Sequence, residues 1–193
     1  MQIQKINQSS PNFGMAMIIE KSARPAIEKG GRSLLSKIQK AGEIVGGTRI
    51  IDGKEVDNST KLVHLIIGEG AIPTVKTPYA NQYTKYFEPQ RLSEVYPEFL
   101  TIETIWAGRP SGNLKTGDIY NAAIKFEDAA AAQKAYRQLK EANSNIERGA
   151  ILTRILDDKY IAENEKTVKV MKEREAFKID LDDLFKQYGR KDA

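Results

Sequence analysis

Asp118-Ile-Tyr-Asn-Ala-Ala-Ile-Lys-Phe126 runs directly into Glu127-Asp-Ala-Ala-Ala-Ala-Gln-Lys-Ala-Tyr-Arg-Gln-Leu139. In the first half Tyr120, Ala122, Ile124 and Phe126 alternate onto one face, and in the second Ala132, Ala135, Tyr136 and Leu139 recur at helical spacing. The apolar period changes from two to about 3.6 at Phe126 and Glu127, which marks a strand handing over to a helix. A helix folded back on the preceding strand makes one layer of an α+β domain. Tyr120, Ile124, Phe126, Ala135 and Leu139 are expected to share that layer, with Asn121 and Lys125 on the opposite face.

Working outward, Phe99 to Trp106 reads as a second strand, and the Gly/Pro-rich stretch 107–117 that joins it to the first predicts an antiparallel hairpin. Lys61 to Ile67 is apolar on both faces, as an interior strand should be, and ends at Gly68-Glu-Gly70. Phe13 to Glu20 has the same character and is expected to be central in its sheet. Thr48 to Ile51 and Lys54 to Val56 flank Asp52-Gly53, the two-residue signal of a type I′ hairpin. Between these runs Ile27, Leu34, Leu35, Ile38 and Val45 keep helical spacing, with Ser22 as the expected N-cap and Pro25 in the first turn. Gly30-Gly31 interrupts the helix and Gly46-Gly47 stops it. The whole predicts an α+β fold: an antiparallel or mixed sheet of about five strands, helices mainly on one face, and a charged helical C-terminal extension.

The expected organisation is a flexible N-terminal arm over 1–12, the α+β domain over 13–156, and the extension over 157–193. That extension holds 9 basic and 10 acidic residues among 37, too many for a core segment. Near its end Asp180 to Gly189 has the grammar of a short helix: Asp180 as N-cap, Gly189 as stop, and Leu181, Leu184, Phe185 and Tyr188 at i, i+3, i+4 and i+7. So short a helix does not persist alone in water, so it must dock on its own domain, on a second copy or on a partner.

Composition bounds the function. A chain of 193 residues, 40 % hydrophobic and 29 % charged, suits one globular domain with an appendage. No run approaches the roughly 18 apolar residues of a membrane span, and Met1 to Ser10 lacks the apolar centre of a signal peptide. With no cysteine there is no disulfide, thiol nucleophile or thiolate metal site. These features lead to the expectation of a cytoplasmic protein without membrane contact. The net charge of +4 and pI near 9.1 point to an anionic partner. Lys and Arg against Asp and Glu nevertheless stand at 9 to 6 over 1–60, 7 to 6 over 61–126 and 14 to 14 over 127–193. That spread is not the clustered face of a nucleic-acid footprint.

The opening strand and helix resemble the third strand and second helix of an RNA-recognition motif, with Phe126, Ala132, Ala135, Tyr136 and Leu139 at that family's usual positions. The resemblance covers about one-eighth of the chain. It implies RNA stacked on exposed strand aromatics, but Asn121 and Ala123 stand at the two stacking positions, so the packing signature is present without the binding one. Lys115-Thr-Gly117 resembles the Lys-Thr-Gly box of penicillin-binding enzymes, yet no Ser has Lys three residues later to activate it. The loop Gly108 to Gly117 carries Arg109, Lys115 and three glycines, the ingredients of an anion nest, although a solvated hairpin loop has the same composition. The sole histidine, His64, lies between Val63 and Leu65 and reads as a core or sheet-face residue.

Residues 72–98 interrupt both periods with Pro73, Pro78, Pro89 and Pro97 among Tyr79, Tyr83, Tyr86, Phe87 and Tyr96. A connection of this length without secondary structure is either a contact surface or a wrap over the sheet. The expected function is that of a non-catalytic, intracellular macromolecule-binding protein with a protein partner. A nucleic-acid-binding module is the alternative and an enzyme of unassigned type comes third. No catalytic, cofactor-binding or metal-ligating residue is assigned. Tyr79, Tyr83, Tyr86, Phe87, Leu181, Leu184, Phe185 and Tyr188 are the candidate partner-binding residues, Arg109 and Lys115 the candidate anion-binding pair, and self-association is left open.

Overall fold

The computed structural model describes residues 17–47, 49–51, 53–56, 61–77, 80–84, 86–90, 95–106, 110, 112–163 and 181–189. Among these, 50 % are helical and 27 % lie in strands. Strand β1 (Met17–Ile19) leads through a 3-10 turn at Lys21–Ala23 into helix α1 (Arg24–Val45), followed by β2 (Arg49–Ile51), β3 (Lys54–Val56) and β4 (His64–Ile67). After a second 3-10 turn at Glu69–Ala71 come β5 (Pro73–Thr77), β6 (Ala80–Thr84), β7 (Glu88–Pro89), β8 (Phe99–Ile105) and β9 (Ile119–Lys125). Helices α2 (Ala129–Glu141), α3 (Asn145–Glu163) and α4 (Leu181–Tyr188) complete the order.

The strands divide among three small sheets instead of one sheet of about five. The first has the order β1-β4-β5-β6, with β1 parallel to β4 and the rest antiparallel. The second is the β2-β3 hairpin, and the third is antiparallel with the order β7-β8-β9. β4 is interior, as its two apolar faces require, and all four of its residues are buried. The described part of the Phe13 to Glu20 run, β1, pairs among the described residues only with β4, which places it at the edge of its sheet. Met17 and Ile19 are nonetheless buried, because they belong to the core to which α1 contributes Ile27, Leu35, Ile38, Ala41 and Val45. Two apolar faces in the sequence are thus no sign of a central position, and Ile18, on the other face, is half-buried.

Two local expectations are met closely. Ile51 and Lys54 face each other across the Asp52-Gly53 turn, with Gly53 at φ +74. Gly31 stands at φ +53 and ψ −144 inside α1, so the helix kinks at the paired glycines. Two others are corrected. Ser22 is not the N-cap of α1: it lies in the preceding 3-10 turn and donates its hydroxyl to Glu20 Oε2 at 3.2 Å, while Ala23 occupies the cap position and Pro25 opens the helix. Residues 72–98 are not structureless, since they supply β5, β6 and β7. Pro73 and Pro89 are tolerated because one opens β5 and the other lies in the two-residue β7 at a sheet edge.

Helix α3 joins the two larger sheets. Asp157, fully buried, accepts hydrogen bonds from Leu62 N–H at 2.5 Å and Val63 N–H at 3.2 Å, just before β4 begins. Lys61 Nζ lies 3.9 Å from the other carboxylate oxygen. Eight residues earlier, a Cβ on Gly149 would come within 3.0 Å of Leu65 and 3.2 Å of Phe87, so α3 approaches the sheet there closely. At its start Ser144 Oγ accepts from Glu147 N–H at 3.2 Å while Glu147 Oε2 accepts from Asn143 N–H at 3.0 Å, a variant of the capping box in which the carboxylate reaches the residue ahead of the cap. Lys40 of α1 closes on Glu147 at 2.8 Å. Helix α2 begins at Ala129, capped by Asp128 Oδ1 on Ala131 N–H. Of the layer expected around Phe126, Ile124, Ala135 and Leu139 are buried, and Tyr120 and Phe126 are half-buried.

Asp157→Ala should cost about 3–5 kcal/mol, read as a lower urea midpoint, because it removes the acceptor of two buried main-chain donors and the carboxylate beside a buried Lys. Glu147 adds a pH dependence. Burial pushes its carboxyl up, but the hydrogen bonds from Lys40 and Asn143 and the charge of Lys40 outweigh this and hold it below the ordinary carboxylate value. A depressed carboxylate stabilises the fold above its unfolded value and loses that contribution as pH falls through its folded one. Glu147→Gln should therefore be less stable than the parent above about pH 5, with the gap closing toward pH 3. A constant gap across the range would dissociate Glu147 from the acid limb.

Candidate binding surface

The hairpin β8-β9 places its side chains by parity. Leu100, Ile102 and Thr104 alternate inward, and their partners in the ladder are Ile124, Ala122 and Tyr120. The outward set pairs Phe99 with Lys125, Thr101 with Ala123, Glu103 with Asn121 and Ile105 with Ile119. Asn121, Ala123 and Lys125 are exposed, as the alternation predicted, and Ile119 is 66 % exposed. Val95 and Tyr96, just before β8, are 74 % and 60 % exposed. Tyr96 stands edge-on to Phe99 with 6.1 Å between ring centres, and Lys125 Nζ lies 5.9 Å over the Phe99 ring. The outer face thus runs from an aromatic and cationic corner at Tyr96, Phe99 and Lys125 to an aliphatic one at Ile105 and Ile119, with Glu103 and Asn121 between.

On the inner side of the same hairpin is a cleft of about 220 Å3. It is lined by Val75 and Thr77 of β5, by Thr104 and Tyr120 of the hairpin, and by Leu156 and Tyr160 of α3, among others. Helix α2 packs on β8 and β7, while Leu152, Leu156 and Tyr160 of α3 form one wall of the cleft itself. Trp106 closes its neighbourhood, edge-on to Tyr120 at 6.0 Å. The lining is largely aliphatic with hydroxyls at its margin, so it suits an apolar group more than a charged one. Among the described residues no three His, Asp or Glu side chains gather to ligate a metal. His64 is buried in β4 opposite Lys76. No helix among the described residues is long and apolar enough to cross a membrane.

The residues singled out from sequence scatter across this picture. Phe87 is fully buried in the main core, against the expectation of an exposed aromatic, and Tyr86 is half-buried. Tyr83 lies in β6 opposite Lys76, its side chain outside the description, and Tyr79 lies outside the described residues. Leu184 and Tyr188 are buried in the same core and Phe185 packs against it, with α4 lying on α1; of the three docking options, the helix takes its own domain. Leu181 begins that helix, its side chain outside the description. Lys115 is exposed, but its N–H donates to Asp118 Oδ2 at 2.7 Å and Gly117 N–H donates to Trp106, so these loop amides are already engaged. Arg109 lies outside the described residues.

What the sequence reading missed is the outer face of the hairpin, although Ile119 pointing away from the Tyr120 face was its available signal. Compared with family models, with curated proteins and with solved structures, the chain matches none.

Phe87→Ala should cost about 3–5 kcal/mol, the range for a buried aromatic, whereas Tyr96→Ser should leave the thermal midpoint within a few degrees. Equal losses would place both rings in the core.

Proposed function

We propose that this chain is a non-catalytic, intracellular protein-binding protein whose contact surface is the outer face of the β8-β9 hairpin. The observation that carries the reading is the exposed trio Val95, Tyr96 and Ile119, with half-buried Phe99 and Ile105 between them, on the side of the hairpin away from the core. Exposed apolar and aromatic residues that gather on one face, with polar residues among them, are the usual composition of a protein contact. Tyr offers large area and a hydroxyl at low entropic cost, which suits Tyr96 to an anchoring role. In this reading α4, docked on α1, serves the protein's own stability.

A second reading is favoured by one feature. The Tyr96 and Phe99 rings beside Lys125 resemble a stacking platform for single-stranded nucleic acid, where aromatic faces take bases and a cation takes phosphate. Glu103 in the middle of the face and the even charge distribution set it second.

Capture from lysate at low and high salt, with the parent and the Val95→Ser/Tyr96→Ser double variant, tests both. The protein-binding reading expects one partner retained at high salt and lost in the variant. Binding of a single-stranded oligonucleotide that collapses with salt and needs Tyr96 would select the second reading. Capture unaffected by the double variant would overturn the assignment of this face.

A further inference from the structure

β9 closes one side of its sheet, and the parity of its hydrogen bonds shows which peptide groups are left over. Phe126 N–H donates to Glu98 O at 2.9 Å and Trp106 N–H donates to Asp118 O at 2.8 Å. The even-numbered residues therefore turn their N–H and C=O toward β8, by the alternation of an antiparallel ladder. Ile119, Asn121, Ala123 and Lys125 turn theirs away from the sheet. The Lys125 carbonyl accepts from Lys159 Nζ. Among the described residues no further strand pairs with β9.

A row of outward peptide groups is a template for another strand, and proteins that do not use such an edge blunt it with proline, bulges, charges or a covering element. In β9 such protection is confined to one end, where Lys125 stands and Lys159 of α3 holds its carbonyl. The register of β9 with β8 is unbroken from Ile119 to Lys125, with neither Pro nor Gly in the strand, and its only charge is the terminal Lys125.

The second observation is the cleft on the inner side of this hairpin, whose lining includes Tyr120, Ala122, Ala123 and Ile124 of β9. A strand laid along β9 would set alternate side chains on the two faces of the sheet. The residue opposite Ala122 would point inward, toward a cleft with room for one large aliphatic or aromatic side chain.

Resting on the protein-binding reading above, we propose that β9 captures an extended peptide segment of its partner by strand addition. The partner's main chain pairs with Ile119, Asn121, Ala123 and Lys125, and one of its apolar side chains enters the cleft. Main-chain pairing supplies affinity in this mode and the side-chain pocket supplies selectivity. The chemistry of the edge, peptide donors and acceptors alone, is what selects a peptide strand as the occupant. Lys159 must release the Lys125 carbonyl as the strand arrives.

The test uses the full-length protein and a phage-displayed library of short random peptides, counter-selected on Ala123→Pro. The Ala123 N–H points outward, so proline there removes an edge donor without breaking a bond to β8. Selected peptides should share alternating apolar residues and bind Ala123→Pro about tenfold or more weakly than the parent. In the parent they should slow amide exchange at Ile119, Asn121, Ala123 and Lys125, with no added protection at Tyr120, Ala122 and Ile124. The exchange pattern needs no variant and so stands even if Ala123→Pro fails to fold. No parent-selective peptide, equal binding to the variant, or protection without the alternation overturns the proposal. Protection of the odd-numbered amides in the protein alone, with a doubled mass in light scattering, assigns the edge to a second copy and also overturns it. The two readings fail separately. Salt-tolerant lysate capture that persists in Ala123→Pro removes strand addition only, and peptide binding without any such capture removes the protein-partner function only.

Discussion

A carboxylate with no access to water must find its hydrogen bonds inside the protein, and Asp157 finds them on the main chain at Leu62 and Val63. Those two N–H groups lie just ahead of β4, outside the ladder that satisfies the strand itself, so one side chain settles groups that the sheet leaves over. The bond also sets how far α3 can slide along the sheet. Gly149 lies eight residues away on the same helix, about 12 Å at the rise of an α-helix, where it meets Leu65, Pro73 and Phe87. With α3 held at two points, the capping box at Ser144 and Glu147 comes within reach of Lys40, and α1 is tied to the same frame.

From that frame follows the allocation of surfaces. The small third sheet offers its inner face to α2 and α3, and the protein has no further helix among the described residues to spend on its outer face. Helix α4, with its apolar stripe of Leu184, Phe185 and Tyr188, is used on α1. Glu88, at the edge strand β7, meets Lys140 of α2 and Arg148 of α3 and closes the opposite margin of this sheet with charge. Among the described residues the side of the sheet at β9 has no comparable ion pair and no further strand, and the open face and the cleft belong to that same hairpin.

Much of this was legible where local chemistry alone decides. The hairpin at Asp52-Gly53, the kink at Gly31, the interior strand β4, the antiparallel pair β8-β9 and the helix ending at Gly189 each depend on a few adjacent residues. The distribution of strands over three sheets was not legible, because pairing depends on which surfaces the helices cover, and nothing in Met17 to Ile19 distinguishes an edge strand under a helix from a central one. Residues 72–98 misled for a related reason. Prolines at the beginning of a strand and in an edge strand look the same as prolines in a coil, so β5 and β7 were hidden, and Phe87, named a candidate contact residue, is buried in the core. Asp157 could not be found from sequence, since it stands in a run of ordinary charged residues and its partners lie 95 and 94 positions away. The capping box Ser144-Asn-Ile-Glu147 was available as a pattern and was passed over.

Gly149 carries a consequence for how this protein can diverge. The helix meets the sheet there with no side chain of its own, and the space is shared by Leu65, Pro73 and Phe87 from three separate segments. Any lineage that places a methyl or more at this position has to recover the volume from one of those three neighbours in the same evolutionary step or an adjacent one. Positions 65, 73, 87 and 149 therefore form a single unit of inheritance, and a descendant that kept the fold would be recognised by this compensated set of sizes before any resemblance in its charged surface.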